Sequence, residues 1–179
     1  MGDVECRGIY NKKYNRMNEV EIRNGYVLFW GGWASNWYLS DMVIGGIKYN
    51  CVEQYMMNKK AEYFGDCVIA NRIMKTMDPK EQKKLGRGVQ AFIMEEWDSV
   101  KYNIVLVGTL EKYNQNLELR KKLLETGDCK FVECSPYDRI WGIGMSSSDN
   151  DATNPDKWGG LNLLGKAIDE AREIIRNGI

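Results

Sequence analysis

Residues 51–61 read CVEQYMMNKKA, and at this stretch the periodicity of the chain changes from strand-like to helical. Glu53 and Lys60 are separated by seven positions, and seven steps of about 100° return to nearly the same face of a helix. Met57 shares that face, so a carboxylate and an amine would lie along an apolar stripe. The pattern predicts a helix over about 51–64 whose stripe faces the core or a cleft.

A lysine on such a stripe loses solvation, and its pKa then falls toward neutrality because burial disfavours the charged form. A neutral amine is a nucleophile that forms a Schiff base at a sugar C1′ carbon. Lys60 is therefore the candidate nucleophile, and Glu53 is the candidate group for proton transfer. The alternative is a solvated Glu–Lys face, which is the common arrangement of charges on a helix.

The chain on either side of this helix predicts an α+β fold. Two β-hairpins precede it, because Asn24-Gly25 and Gly45-Gly46 accept the positive φ angles of tight turns and are flanked by apolar residues. Further helices are expected at about 68–76, 78–88, 97–113, 116–127 and 162–176, with a short strand at 130–134. We predict one predominantly helical α+β domain over residues 1–179, with a small antiparallel sheet.

The composition excludes several kinds of site. The chain contains no histidine, which removes every Ser–His or Cys–His relay and every histidine-bound metal. Its five cysteines form no CxxC motif, which argues against a disulfide framework or a zinc site and indicates a reducing, cytoplasmic compartment. The formal net charge is zero, and no apolar run approaches the roughly 20 residues of a membrane span. We expect no metal, no cofactor and no membrane association; the sequence does not predict the oligomeric state.

A second candidate segment runs from Ser135 to Gly144 and reads SPYDRIWGIG. Gly142 and Gly144 would let the backbone approach a ligand closely. Trp141 would offer a stacking face for a base or a nicotinamide, and Asp138 would orient a hydroxyl or a lysine. The alternative is a turn that buries one tryptophan.

Three shorter segments supply further candidates. Arg87, at a predicted helix end, would pair with a phosphate, or else be an arginine favoured there by the helix dipole. Asn36 would read a base edge or a ribose beside Trp37, unless this aromatic cluster belongs to the core. Asn162 would open a helix N-terminus that holds phosphate, or else serve only as a cap. Gly165, inside the first turn of that helix, suggests close approach by another backbone.

Taken in order over about residues 29–175, these segments resemble the NADAR family, also called YbiA-like. The matching elements are Ser35-Asn36-Trp37, Val52-Glu53-Gln54 with Lys60, Leu85-Gly86-Arg87, Trp97 to Lys101, Ser135 to Gly144, and Gly160 to Gly165 with Glu170 and Arg172. Two positions depart from the family pattern, since Gln54 replaces a usual histidine and Trp37 replaces a phenylalanine. Residues 1–28 show no match and are interpreted as an N-terminal extension or hairpin.

The resemblance implies helices around a small sheet and hydrolysis of N-glycosidic bonds. It implies one of two substrate classes, which are phosphorylated pyrimidine intermediates of riboflavin synthesis and ADP-ribose attached to guanine, including guanine in DNA. For the second class it implies a lysine that attacks C1′ and forms an imine. We prefer ADP-ribosylated guanine, as a nucleotide or in DNA, as the substrate. The alternative from another class is a module that binds ADP-ribose or NAD without cleaving it, which the Gln54 departure keeps open.

The expected roles follow from the match together with the helical spacing. Lys60 would attack C1′, Glu53 would shuttle protons, and Asp138 would position Lys60 or a ribose hydroxyl. The residues expected to bind the base, the sugar and the phosphate are Asn36, Trp37, Arg87, Trp141, Gly142, Gly144 and Asn162.

Overall fold

The computed structural model describes residues 20–178. The chain divides into two compact units. Unit 1 contains the described residues 20–35 and 118–178, and unit 2 contains residues 36–117. Of the predicted extension over residues 1–28, the first 19 residues lie outside the described residues. The single domain over residues 1–179 stays a prediction.

The predicted order of strands and helices is confirmed across the described residues. The strands are β1 (Glu21–Arg23), β2 (Tyr26–Phe29), β3 (Met42–Ile44), β4 (Ile47–Tyr49) and β5 (Lys130–Glu133). The α-helices are α1 (Val52–Tyr63), α2 (Cys67–Lys75), α3 (Pro79–Arg87), α4 (Met94–Gln115), α5 (Leu117–Glu125) and α6 (Leu163–Asn177). Helices therefore dominate, and the predicted α+β class is confirmed.

The sheet of unit 1 has the strand order β1-β2-β5. β1 and β2 form the predicted antiparallel hairpin, and Asn24 and Gly25 at its turn have φ angles of 52° and 78°. β2 and β5 pair in parallel, with Val27 opposite Phe131. The sheet is therefore mixed rather than wholly antiparallel. Alternation along a strand predicts which face is buried, but it does not encode the direction of a partner strand about a hundred positions away.

Close packing of α6 against β5 organises the rest of unit 1. A Cβ atom at Gly165 would collide with the backbone oxygen of Phe131, which confirms the predicted close approach at this glycine. Arg172, fully buried on α6, donates to the Cys129 carbonyl at 2.7 Å and to Asp169 at 3.0 Å. The Asp169 carboxylate also accepts a hydrogen bond from the Phe131 N–H at 3.2 Å. These contacts give Arg172 a structural role in this chain.

Unit 2 is built around α1, which packs against α2, α3 and α4, beside the β3–β4 hairpin. A glycine allows two of these approaches. A Cβ atom at Gly108 of α4 would lie 2.9 Å from Tyr55 Cδ1 and 3.1 Å from Val52 Cγ1 of α1. A Cβ atom at Gly86 of α3 would collide with the Met57 sulfur. The helices therefore approach α1 more closely than side chains at these two positions would allow.

Cys51 and Cys134 are buried free thiols, and Cys67 is an exposed free thiol. Among residues 20–178, no helix is both long and apolar enough to cross a bilayer. In the same part of the chain, no cluster of three or more Cys, Asp or Glu is placed to hold a metal ion.

Candidate functional site

The start of α1 holds Glu53 inside the protein. The Cys51 thiol caps the helix by accepting the Gln54 N–H at 3.4 Å. The Glu53 N–H donates to the Asn36 carbonyl at 3.0 Å, which ties the helix start to the preceding loop. The Glu53 side chain is 2% exposed, so the alternative of a solvated face is wrong for this residue.

Lys60, in the last turn of α1, lies in a partly apolar environment. Its Nζ donates to the Gly86 carbonyl at 2.9 Å. The same Nζ lies 4.0 Å from the centroid of the Phe92 ring and 6.0 Å from that of Trp97. Burial lowers the pKa of Lys60 below its usual value. The amine is therefore more easily deprotonated than a solvated lysine, as the sequence pattern predicts.

Gly86 explains why this lysine meets a carbonyl group. Met57 precedes Lys60 by three positions on α1, and its side chain occupies the space that a Cβ atom at Gly86 would need. α3 therefore approaches α1 closely enough for the Gly86 carbonyl to accept the Lys60 hydrogen bond. The carbonyl contributes a dipole without a formal negative charge, so it holds the amine in place without pairing it with a carboxylate.

The neighbouring lysine shows the contrast. Lys59 Nζ forms an ion pair with Glu62 at 2.8 Å. Burial alone would lower the pKa of Lys59, but the hydrogen bond to Glu62 and the nearby phenols of Tyr49 and Tyr55 raise it overall. The two adjacent lysines therefore have opposite pKa shifts, because the Lys59 amine pairs with a carboxylate and the Lys60 amine contacts a backbone carbonyl.

Gln54, which stands where the family usually has histidine, is occupied by backbone hydrogen bonds. Its side-chain oxygen accepts the Asn50 N–H at 2.8 Å. Its side-chain nitrogen donates to the carbonyls of Ile73 and Thr76, both at 3.2 Å. Gln54 therefore joins the start of α1 to the end of α2. In this chain the position has a structural role, because the side-chain oxygen and nitrogen of Gln54 are both hydrogen-bonded to the backbone.

The loop before β3 and the end of α3 carry the other predicted residues of unit 2. Asn36 is buried, and its carbonyl is the group that accepts the Glu53 N–H. Trp37 is 41% exposed, and Lys83 Nζ lies 5.8 Å from its ring centroid. Arg87 is exposed and ends α3, four positions after Lys83, so the two cations share one helix face. Lys83 was not identified from the sequence.

In unit 1, the segment around Trp141 is a turn fixed by Asp138. One carboxylate oxygen of Asp138 accepts the N–H groups of Ile140 at 3.0 Å and Trp141 at 2.8 Å. Trp141 is half-buried, and its carbonyl accepts the Leu164 N–H at the start of α6 at 3.1 Å. Asp138 therefore shapes the loop that presents Trp141.

The two glycines of this segment are required by close backbone contacts. A Cβ atom at Gly142 would lie 2.9 Å from the carbonyl oxygens of both Asp138 and Glu133. Gly144 has a φ of 73°, which side chains rarely adopt. At Gly142 the closely approaching groups are carbonyls of the protein itself, and the predicted approach of a ligand to these glycines stays a prediction.

Asn162 stands at the N-cap position of α6, but its side chain does not cap the helix. The side-chain nitrogen donates to the Phe131 carbonyl at 2.9 Å, and the side-chain oxygen accepts the Glu133 N–H at 3.0 Å. Asn162 is buried and adopts a left-handed backbone with φ 52°. The predicted N-cap position is confirmed, but the amide bonds to the backbone of β5 instead of to the first turn of α6. The phosphate predicted at this helix N-terminus stays a prediction.

Two residues near α1 were missed by sequence reasoning. Phe92, between α3 and α4, covers Lys60 and remains 39% exposed. Lys112 of α4 is 1% exposed, and burial lowers its pKa to about 7, partly opposed by the nearby Cys51 thiol. A single aromatic residue in a short loop and a lysine in a mixed helix give no periodic signal. Only the tertiary packing distinguishes them from ordinary surface residues.

The comparisons with known proteins agree with the fold. The structure resembles the NMR structure of the E. coli protein YbiA, with a TM-score of 0.72 and 25% identity over 91% of each chain. The fold class is thus that of a YbiA-like α+β protein. The NADAR domain matches residues 28–176, and the chain belongs to the NADAR family.

Two named relatives share much of the chain. An N-glycosidase of Acanthamoeba polyphaga mimivirus is 44% identical over 126 residues, which are 70% of this chain and 74% of the relative. An N-glycosidase of Nostoc punctiforme is 35% identical over 126 residues, with the same two shares. The chain is therefore similar to enzymes named for cleavage of N-glycosidic bonds.

Proposed function

We propose that this chain is an N-glycosidase that removes ADP-ribose from guanine, in a nucleotide or in DNA, through an imine on Lys60. Membership of the NADAR family and the two relatives named N-glycosidase support hydrolysis of a glycosidic bond. ADP-ribosylated guanine is the substrate class that the family resemblance associates with a lysine imine. The choice of this substrate therefore rests on the candidate lysine.

The environment of Lys60 is the observation that carries the mechanism. Burial lowers the pKa of this amine, the Gly86 carbonyl holds Nζ at 2.9 Å, and the Phe92 ring lies 4.0 Å away. A lysine must be neutral to attack carbon, and a desolvated amine reaches that state at lower pH than an exposed one. Lys60 is therefore better suited to nucleophilic attack than the adjacent, ion-paired Lys59.

The proposed reaction starts when Lys60 Nζ bonds to C1′ and the bond from C1′ to the base nitrogen breaks. The bonding electrons leave with the base, which takes a proton. Nζ then loses a proton as the C1′–ring oxygen bond opens and the ring oxygen is protonated, which leaves an imine. Water adds to C1′, the C1′–Nζ bond breaks, and the sugar ring closes with a hydroxyl at C1′. The net change is hydrolysis of one C–N bond.

Glu53 is the proposed proton shuttle for these steps. It precedes Lys60 by two helical turns, which is a rise of about 10.5 Å along the axis. This separation favours proton transfer to the leaving base or to water over direct exchange with Nζ. Its burial removes competing solvent, which strengthens its interaction with a developing charge.

Replacing Glu53 with Gln should lower turnover by roughly 100-fold, because the amide keeps the shape and loses the proton transfer. Initial rates with saturating substrate measure the effect, and the melting temperature shows whether the buried variant folds. Glu62→Gln is the matched control, since this glutamate lies on the same helix and pairs with Lys59 at 2.8 Å. A folded Glu53→Gln protein with the wild-type rate would remove Glu53 from the chemistry.

The proposed binding roles are assigned within each unit. In unit 2, we assign Arg87 to a phosphate, with Lys83 on the same face of α3, and Asn36 and Trp37 to the base or ribose. In unit 1, Trp141 is proposed as a stacking face, carried by the turn that contains Gly142 and Gly144. Asp138 and Asn162 act there as positioning residues, because their side chains bind the backbone of that turn and of β5.

A short DNA oligonucleotide that carries ADP-ribosyl guanine tests the function directly. Incubation with the folded protein should reduce the intact oligonucleotide mass by that of the ADP-ribose group and restore unmodified guanine. Phosphorylated pyrimidine intermediates of riboflavin synthesis are assayed in parallel. Cleavage of those compounds alone would replace the proposed substrate, and tight ADP-ribose binding without any cleavage would identify a binding module.

A further inference from the structure

Three aromatic rings beside Lys60 contact one another edge to face, and we call this group the Phe92 platform: Tyr63, Phe64 and Phe92. Tyr63 and Phe64 lie at the end of α1, with ring centroids 5.0 Å apart. Phe64 and Phe92 meet edge to face at 5.3 Å. The Phe92 ring also lies 4.0 Å from Lys60 Nζ. All of these contacts lie within unit 2.

The loop that carries Phe92 is held in a defined position. It spans residues 88–93, between α3 and α4. The Gln90 N–H donates to one carboxylate oxygen of Asp66 at 3.0 Å, while the other oxygen caps α2 by accepting the Ile69 N–H at 3.0 Å. Ala91, directly before Phe92, has a φ of 53°, which is unfavourable for a residue with a Cβ atom. Such strain persists only where surrounding contacts fix the backbone, and it is concentrated at functional positions.

Phe92 is more exposed than a ring that serves only to fill a core. Its side chain is 39% exposed although it touches both Phe64 and Lys60. Tyr63 is 47% exposed at the outer end of the platform. Part of the platform is therefore open to a planar ligand, and its inner end lies against the proposed nucleophile.

We propose that Phe92 is a stacking surface for the base that leaves C1′, and so a specificity-determining residue of the proposed glycosidase. This inference rests on the proposed role of Lys60. An attacking Nζ lies about 3–3.5 Å from C1′, and the base is bonded to C1′ through a C–N bond of roughly 1.5 Å. Since the Phe92 ring centroid is 4.0 Å from Nζ, C1′ would lie within about 7.5 Å of that centroid, so a base carried by C1′ can reach the exposed part of the ring.

The chemistry of the platform favours a nucleobase over other occupants. Every base presents a π-face, so stacking on phenylalanine holds it without a hydrogen bond to a particular edge. The sugar and the phosphates offer no such face. Phe92 would therefore contribute to binding of the guanine that leaves C1′ and contribute nothing to binding of the ADP-ribose product, whose adenine lies across the diphosphate from C1′.

Kinetics on ADP-ribosyl guanosine monophosphate test the inference with Phe92→Ala, Phe92→Tyr and Tyr63→Ala. Phe92→Ala should raise KM about tenfold, the scale of one lost stacking contact. Phe92→Tyr keeps the ring and should stay within about twofold of wild type. Tyr63→Ala is the matched control, because it removes an exposed ring of the platform that is not the one over Lys60. Melting temperatures confirm that each variant folds.

Inhibition by ADP-ribose separates stacking of the leaving base from general damage. The inhibition constant should be the same for Phe92→Ala and wild type, because ADP-ribose lacks the departing guanine. An equal rise in KM and in the inhibition constant would overturn the inference, as would an unchanged KM.

A negative result for the proposed glycosidase activity can be distinguished from a negative result for stacking on Phe92. If the wild-type protein does not turn over, calorimetry with guanosine monophosphate tests Phe92 by itself. Binding that weakens in Phe92→Ala and persists in Phe92→Tyr supports stacking. No binding by wild type, or equal binding by Phe92→Ala, overturns it.

Discussion

The Lys60→Ala variant should lose activity on the ADP-ribosylated oligonucleotide by at least about 1,000-fold, the scale seen when a covalent nucleophile is removed. The reason is that, among residues 20–178, Lys60 supplies the amine that lies between the Gly86 carbonyl and the Phe92 ring. The release of ADP-ribose, followed by mass spectrometry, measures the loss. The fold of unit 2 should survive, since Lys60 contributes one partly buried hydrogen bond.

Lys59→Ala is the control that makes this result specific. Lys59 is the neighbouring residue on α1, and its amine is held by Glu62 at 2.8 Å. Its loss removes the same charge from the same helix, yet the rate should stay within about twofold because a surface ion pair is worth little. Equal losses in both variants would show that helix charge, rather than a nucleophile, supports activity.

The pH dependence of the wild-type rate should report the same amine. Only neutral Lys60 attacks carbon, so the rate should rise with pH as the ammonium loses its proton. Burial lowers the pKa of Lys60 from the usual 10.5, so the midpoint should fall below that value. Borohydride added during turnover should trap the imine as a stable adduct on Lys60. Absence of any adduct from an active protein would contradict the imine.

The sequence predicted those parts of the fold that depend on local patterns. The two hairpins followed from Asn24-Gly25 and Gly45-Gly46, and α1 followed from the stripe that contains Glu53. The parallel pairing of β2 with β5 did not follow, because strand direction is set by the path of the intervening chain. Local sequence patterns therefore predicted the helices and the hairpins, but they did not predict how the strands of the sheet pair.

The candidate site was predicted to a similar extent. Spacing identified Lys60, but its hydrogen bond to Gly86 depends on the contact of Met57 with α3. The replacement of histidine by Gln54 raised doubt about activity, and the structure shows an amide that is satisfied by three backbone groups. Phe92 was missed because its approach to Lys60 depends on a strained loop, which no periodic pattern reveals.

The second large effect is expected on stability, at Lys112. This lysine is almost fully buried on α4, with its Nζ 5.7 Å from the Tyr38 ring centroid and 5.4 Å from that of Tyr113. Burial lowers its pKa from 10.5 to about 7, against a smaller opposing effect of Cys51. Above pH 7 the folded protein holds Lys112 neutral while the unfolded chain still binds its proton, so the free energy of unfolding rises with pH.

The size of this effect follows from the linkage relation. One proton bound only by the unfolded chain adds about 1.4 kcal/mol per pH unit, so wild type should gain about 2 kcal/mol between pH 7 and pH 9. From about pH 8 upward Cys51 and Cys134 oppose the gain, because burial raises the pKa of each thiol from 9.0 to about 12 and the unfolded chain loses these protons first. Urea unfolding at several pH values measures the slope.

Lys112→Met should remove this slope and be more stable than wild type at pH 6, since methionine fills a similar volume and carries no charge to desolvate. The difference between the two proteins should narrow toward pH 9, where the folded wild-type amine is neutral. Lys101→Met is the matched control on the same helix, because Lys101 is also buried but reaches Asp98 at 2.5 Å, and this variant should keep the slope. A slope that persists in Lys112→Met would assign the pH dependence to another group. If the pH dependence of stability is lost only in Lys112→Met, α4 holds a neutral lysine beside α1. The proposed mechanism requires the same consequence of burial at Lys60.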